Sequence, residues 1–351
     1  MFKLKQNNTT VRTELVAGIT TFMAMAYILM VNAGMFSTLG GDALGASYYN
    51  AVYIATAISA VFGTLLIGLL SNLPLAQASG MGLNAFFVYS VCIGMGFTYA
   101  NALVMVLVDG IVFLLLTVTG LRRLIFDAIP KAVKAAIAPG IGLFIAFLGL
   151  QNSGIVVNSD STLVDLHSFN IIFGHTTWAE IMPLLITIAA LIAIGAMSKK
   201  KIKGAVFWGI IGGAVLYYAL GLLTIDGFYA SNVQSKLSLN IIQPFRDFFN
   251  ISFGKVFTEG FNFSEYIAAN GVGSFAATFI ASMLAFCMVD MFDTLGTLYG
   301  ACSAGNLLDK DGNVPNMNKA MFADAAATCF GAVCGTSTVT TFVESLSLIH
   351  I

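Results

Sequence analysis

Five carboxylates lie inside stretches that otherwise read as hydrocarbon: Asp109, Asp290, Asp293, Asp324 and Glu344. An ionised group at membrane depth is costly, so each of these acids is a candidate for function. The stretch "FCMVDMFDTLGTL" (residues 286–298) sets Asp290 and Asp293 three residues apart, which puts them on one face of a helix. Like charges side by side in a low dielectric resist ionising together, so the pair could hold a proton or grip a substrate donor. The competing reading is a structural hydrogen-bond network with Thr294 and Thr297.

Glu344 ends a different kind of stretch, "GTSTVTTFVES" (residues 335–345), whose β-branched and hydroxyl-bearing residues favour strand over helix. An extended backbone there exposes N–H and C=O groups, and a helix restarting beyond it offers a partly positive N-terminus. A flat neutral ligand would find a carboxylate acceptor, backbone donors and hydroxyls together, with Thr341 among the candidate contacts. Otherwise Glu344 is a helix-capping acid. A second interrupted stretch, "QASGMGLNAFF" (residues 77–87), holds Gly80, Gly82 and Asn84. The Asn84 amide can donate and accept at once, either to a ligand or to its own broken helix.

Three further assignments are structural in emphasis. Asp109, alone in "VLVDGIVF", fits helix packing or gating as well as substrate contact, and Asp324, in "FADAAAT", fits a cap or buttress. Asn32, Thr20 and Thr21 fit hydrogen bonds between helices. "AIAPGIGLF" (residues 136–144) fits close packing with a kink at Pro139, since the Lys-Ser/Thr ending of a phosphate loop is missing.

The elements that must position these residues follow from composition. Hydrophobic residues make up 58% of the chain and charged residues only 9%, against about 25% in soluble domains. A net charge of −1 argues against a nucleic-acid partner. The three histidines are scattered, and the five cysteines lack metal spacing and read as small apolar residues, so no cofactor or metal is expected. No cleavable leader is apparent, and the first apolar run reads as a true span. At roughly 20 apolar residues per helix, candidate spans lie near 15–36, 50–71, 78–97, 99–119, 131–151, 179–197, 204–224, 271–298 and 318–334. Residue 335 opens a tenth.

Basic residues orient the chain. Lys3, Lys5 and Arg12, then Arg122, Arg123, Lys131 and Lys134, then Lys199, Lys200, Lys201 and Lys203, then Lys310 and Lys319 all fall on one side, which makes the amino terminus cytoplasmic. Only Lys236, Arg246 and Lys255 fall opposite, in a long loop where the bias is weak. Broken backbone at membrane depth survives only where protein or a cavity satisfies it. Two such segments in corresponding places point to a transporter's binding site. Spans three and ten correspond if a seven-span unit repeats, and an odd-numbered unit must insert its second copy inverted. The resulting division is 1–225 as a first repeat, 226–268 as an external loop and 269–351 as part of a second repeat.

Taken in order, "GITTFMAMAYILMVNAGM", "ASGMGLNAFF", "PKAVKAAIAPGIGLFIAFLGLQNSGIV", "DMFDTLGTL" and "GTSTVTTFVES" resemble the blocks of the AzgA-like purine permeases. These form the hypoxanthine/guanine/adenine branch of the nucleobase–cation symporters, within the xanthine/uracil permeases. The resemblance runs from about Thr13 to Ser345. It implies an all-α polytopic membrane protein of fourteen spans in two inverted seven-span repeats. Core and gate domains would face one another, and short strands in spans three and ten would cross near the midplane. Carried over residue by residue, substrate contact falls on Asn84, Asp290 and Glu344, and proton coupling or site organisation on Asp290, Asp293 and Glu344. The implied activity is import of purine nucleobases across the plasma membrane by symport with H+, Na+ being the less favoured ion. A homodimer is a candidate assembly. After Ser345 the sequence reads "LSLIHI" where the family would continue with four more spans, so a shortened second repeat is expected. The competing functions are a purine-binding membrane protein that does not transport, and an anion carrier of the same architecture, which acids in the site disfavour. An enzyme is disfavoured by the lack of a metal set, a nucleophile elbow or a sizeable soluble domain.

Overall fold

The computed structural model describes residues 10–120, 130–170, 174, 176–200, 202, 204–229, 240–310 and 312–345. The expectations on Lys3, Lys5, Arg122, Arg123, Lys201, Lys203, Lys236 and the terminal "LSLIHI" lie outside these residues.

The chain runs through α1 (Val11–Met25), α2 (Tyr27–Ser37), α3 (Gly41–Ser71) and the short strand β1 (Gln77–Ser79). Next come α4 (Met81–Ala85), which continues as a π-helical stretch over Phe86–Gly94, then α5 (Tyr99–Val118) and α6 (Lys131–Asn152). A hairpin of β2 (Val156–Ser159) and β3 (Leu163–Leu166) precedes α7 (Trp178–Lys199) and α8 (Ala205–Thr224). Short helices α9 (Ile242–Asp247) and α10 (Lys255–Thr258) lead into α11 (Ser264–Ala304), whose helical run is broken at Gly271 (φ 82°, ψ 160°). Finally come α12 (Met317–Cys334), strand β4 (Val339–Thr341) and a 3-10 turn, Val343–Ser345.

Local chemistry sets several of these ends. The Thr10 and Thr98 hydroxyls accept from the backbone N–H groups of Thr13 and Asn101, capping α1 and α5. Thr177 and Glu180 form a capping box at the start of α7. α12 stops at Gly335, whose φ of 97° lies in the left-handed region. A side chain there would also strike Ser252 and Tyr99.

Among the described residues, five helical runs are long and apolar enough to cross a membrane: Val11–Ser71, Tyr99–Val118, Trp178–Lys199, Ala205–Thr224 and Ser264–Ser303. Their outer faces carry large exposed apolar residues, including Leu15, Ile19, Leu65, Leu115 and Leu223. A water-facing surface would not present so many, whereas lipid accepts them. The expected first two spans join into one helical run, and α3 starts nine residues before the expected residue 50. Its first turns, "GDALGASYY", are helical without being oily enough to register as a span.

The chain divides into two units. The first comprises residues 1–141 and 240–350. Its core gathers Phe36, Phe87, Leu103, Met105 and Phe286, with a second cluster of Ile67, Phe113, Leu295, Leu298 and Met321. α12 lies against both α3 and α5, and its buried face is built from Ala320, Ala323, Ala325, Ala327 and Gly331. Small residues let helices approach closely where lipid supplies no hydrophobic drive to associate. At the tightest point a Cβ on Gly110 would stand 2.6 Å from Cys329 Sγ and 3.0 Å from Cys329 N. Gly110→Val is therefore expected to cost about 1–3 kcal/mol through overpacking, read as a lower thermal midpoint of the purified protein. Gly18→Ala, with nothing within 4 Å of the new carbon, is the matched control with no loss.

The second unit, residues 142–239, has the antiparallel β2–β3 hairpin, with Val156 opposite Leu166 and Ser159 opposite Leu163. In it α7 packs on α8, and Trp178 Nε1 donates to Thr224 Oγ1 at 2.9 Å. Met182, Ile186 and Phe228 form its small core.

The later part of the expected loop 226–268 is folded. Asn50 Nδ2 donates to Asp247 Oδ2 at 2.9 Å, Asn101 Nδ2 donates to Gly260 O at 2.7 Å, and Gly254 N donates to Val333 O at 2.8 Å. Phe248, Phe249 and Phe253 cluster beside these links. The segment is too short to span a bilayer, which is why its sequence reads as a connection.

Candidate functional site

The two interrupted segments meet. β1 and β4 pair antiparallel, with Gln77 opposite Thr341, Ala78 opposite Thr340 and Ser79 opposite Val339. The ladder continues past both ends: Gly80 N donates to Thr338 O at 3.0 Å, and Phe342 N donates to Ala76 O at 2.9 Å. All six strand residues are buried, so this backbone needs every partner it has. Beyond β1, α4 begins directly after Gly80; beyond β4, the 3-10 turn carries Glu344. Ser345 Oγ accepts from Ala76 N at 2.9 Å and ties that turn back to the first segment.

Strand alternation assigns the threonines to different tasks. Thr341 is buried and its hydroxyl accepts from Gln77 Nε2 at 3.4 Å. Thr340, its neighbour on the opposite face, lies beside the carboxylate of Asp293. A Cβ on Gly80 would stand 3.0 Å from Thr340 Oγ1 and 3.5 Å from Asp293 Oδ2. Glycine at 80 thus leaves the strand end, the hydroxyl and the acid in contact. Asp293 also lies within electrostatic range of Glu344. α11 packs on both β4 and the turn that bears Glu344.

Of the remaining expected site residues, Asp290 is fully buried one helical turn before Asp293. Asn84 is fully buried on α4; its backbone N–H donates to Gly80 O at 2.9 Å, and its Nδ2 reaches Ser79 O at 3.5 Å. Its Oδ1 has no hydrogen-bond partner among the described residues. Asp109 is fully buried on α5 beside the close Gly110 contact with α12.

Asp324 is a buttress. It accepts from Gln77 Nε2 at 3.2 Å and from Thr294 Oγ1 at 2.8 Å, joining β1, α12 and α11. Thr294 is therefore engaged with Asp324, and Thr297 donates to backbone oxygens of Asp293 and Thr294. Asn32 Nδ2 does bond between helices, reaching Thr56 Oγ1 at 2.7 Å, and also reaches Thr336 Oγ1 at 3.0 Å. Thr336 in turn shares a 2.6 Å hydrogen bond with Ser79. Thr20 differs from the interhelical expectation: its hydroxyl donates to Val16 O within α1, as exposed helical threonines do.

Two participants escaped the sequence reading. Thr340 is one residue from the expected Thr341, and only the register reveals which of them faces Asp293. Tyr27 donates to Glu344 Oε1 at 2.7 Å across 317 residues of chain, and no local signal in "MAMAYILM" announces it. Among the described residues no group of three His, Cys, Asp or Glu could hold a metal ion.

The site is therefore a buried surface of acids, hydroxyls and strand ends inside a body with large apolar residues on its outer faces. Comparison with known proteins agrees with that character. Residues 12–351 match the family described as "Permease family", that of the xanthine/uracil permeases. The chain is 35% identical over 350 residues to the guanine/hypoxanthine permease PbuO of Bacillus subtilis, covering 98% of this chain and 71% of that protein. PbuG, a guanine/hypoxanthine permease of the same organism, is 35% identical across 99% of this chain and 71% of its own length. The adenine permease AdeP of Escherichia coli is 32% identical across 99% of this chain and 68% of its own length. With the match running through both strand segments and every acid described above, this multi-pass membrane protein belongs to the xanthine/uracil permease family.

Proposed function

We propose that the protein imports purine nucleobases across the plasma membrane, by proton symport with alternating access. The observation that carries the reading is the convergence of Asp293, Thr340 and Glu344 at the paired strands β1 and β4. A purine base is flat and uncharged, with N–H donors along one edge and ring acceptors along another. Glu344 and Asp290 would accept from the donor edge, strand-end backbone N–H groups would meet the acceptors, and Asn84 would brace the site. Asp293, beside Thr340 and close to Glu344, would organise the pair or carry the coupled proton. The relatives named as guanine/hypoxanthine and adenine permeases support this substrate class. β1 and β4 would then occupy corresponding places in two inverted repeats, with the amino terminus cytoplasmic. Movement of a gate part against a core part would alternate access.

The test is uptake of radiolabelled hypoxanthine, guanine and adenine by cells lacking their own purine permeases and expressing this chain. Accumulation competed by unlabelled bases, not by sulfate or bicarbonate, is expected. A protonophore should abolish it, and replacing Na+ with choline should not. Base binding without accumulation would overturn the transport reading, and sulfate competition the substrate class.

A further inference from the structure

We propose that Tyr27 is a positioning residue for Glu344, and that α2 clamps the β4 segment at two points to present that carboxylate. The inference rests on the reading of Glu344 as an acid that contacts substrate.

The Tyr27 hydroxyl donates to Glu344 Oε1 at 2.7 Å, within the range of a strong hydrogen bond to a carboxylate. Tyr27 opens α2, directly after the interruption at Ala26 that separates it from α1. Five residues further along the same helix, Asn32 Nδ2 donates to Thr336 Oγ1 at 3.0 Å. Thr336 precedes β4 and Glu344 follows it, so one helix holds both flanks of the strand. Thr336 also hydrogen-bonds Ser79, which extends the anchorage to the partner strand.

A glutamate side chain on a short 3-10 turn has several rotamers available and loses affinity for each one that is wrong. A single phenol donor fixes the carboxylate plane by occupying one oxygen. The other oxygen is then directed to one place, where a substrate N–H can meet it. Tyr27 and Glu344 are both half-buried, so the pair is partly shielded from solvation without being sealed off. Tyr27→Phe deletes the donor and keeps the ring.

The experiment uses the full chain purified in detergent, with Tyr27→Phe and Glu344→Gln as variants. Infrared difference spectra between the parent and Glu344→Gln identify the Glu344 carboxyl band. Binding of radiolabelled hypoxanthine, guanine and adenine is measured by equilibrium dialysis on the same samples. In Tyr27→Phe the Glu344 band is expected to move, the Kd to rise about tenfold, and the thermal midpoint to stay close to the parent's. A merely structural tyrosine would lower the midpoint and leave the band in place. Should Tyr27→Phe not fold, the reciprocal reading is the Tyr27 phenol C–O band, which must move in Glu344→Gln. An unmoved band overturns the inference, as does a moved band with parental affinity. If the parent binds none of the three bases, the substrate reading falls and takes this inference with it; parental binding with an unchanged Tyr27→Phe affinity sinks the inference alone.

Discussion

Glu344→Gln is expected to leave less than about 1% of parental purine uptake, through loss of charge-assisted hydrogen bonds of about 1.5–3 kcal/mol each. The substitution preserves shape and keeps an oxygen for the Tyr27 hydroxyl, so the fold around the turn should survive. What disappears is the negative acceptor beside Asp293 and the strand ends. Its loss should also abolish accumulation driven by an imposed pH gradient, because in the proposed mechanism the coupled proton and the base compete for or share this acid. Uptake would be compared at equal protein amount by quantitative blotting of membranes. Rates within twofold of the parent would strip Glu344 of its role and leave the strand pair as scaffold alone.

Asp324→Ala should act as strongly by a different route. Asp324 is fully buried and accepts from Gln77 Nε2 and Thr294 Oγ1 with its two oxygens. Removing it leaves two buried donors to find new partners, at a cost of about 1–3 kcal/mol each. Gln77 is the first residue of β1 and pairs with Thr341, so the loss is transmitted to the register of the strand pair. The expected result is a markedly lower thermal midpoint and loss of base binding together. Asp324→Asn, which offers one carbonyl oxygen in place of two, should lie between. A parental midpoint and affinity in Asp324→Ala would show that the network adjusts without this acid.

The span pattern was legible because lipid imposes a length that composition records. Residues 99–119 and 204–224 were expected, and α5 (Tyr99–Val118) and α8 (Ala205–Thr224) were found. Strand β4 announced itself through β-branched threonines, whereas the glycines and Asn84 marked only an interruption at β1, and its strand character came from the family resemblance. The late part of 226–268 was not legible, since short aromatic helices laid against the body carry no 20-residue signal. Nor was the choice between Thr340 and Thr341. A threonine run says strand, but which member faces Asp293 is a matter of parity that only pairing decides. Tyr27 was invisible for another reason: aromatic residues are ordinary in membrane helices, and its partner lies 317 positions away.

The pairing of Gln77 with Thr341 also has a consequence in time. These residues are 264 positions apart, so the ring closed by the strand pair contains most of the chain. Closing so long a ring is only modestly more costly in entropy than closing a short one. It does, however, impose an order of events, because distant partners must wait for each other. During synthesis, β1 remains without its mate until residues 80–338 have been made. In the folded protein α3, which is made before β1, packs against that strand. The strand pair around which Asp293, Thr340 and Glu344 gather thus cannot form until both distant segments have been made.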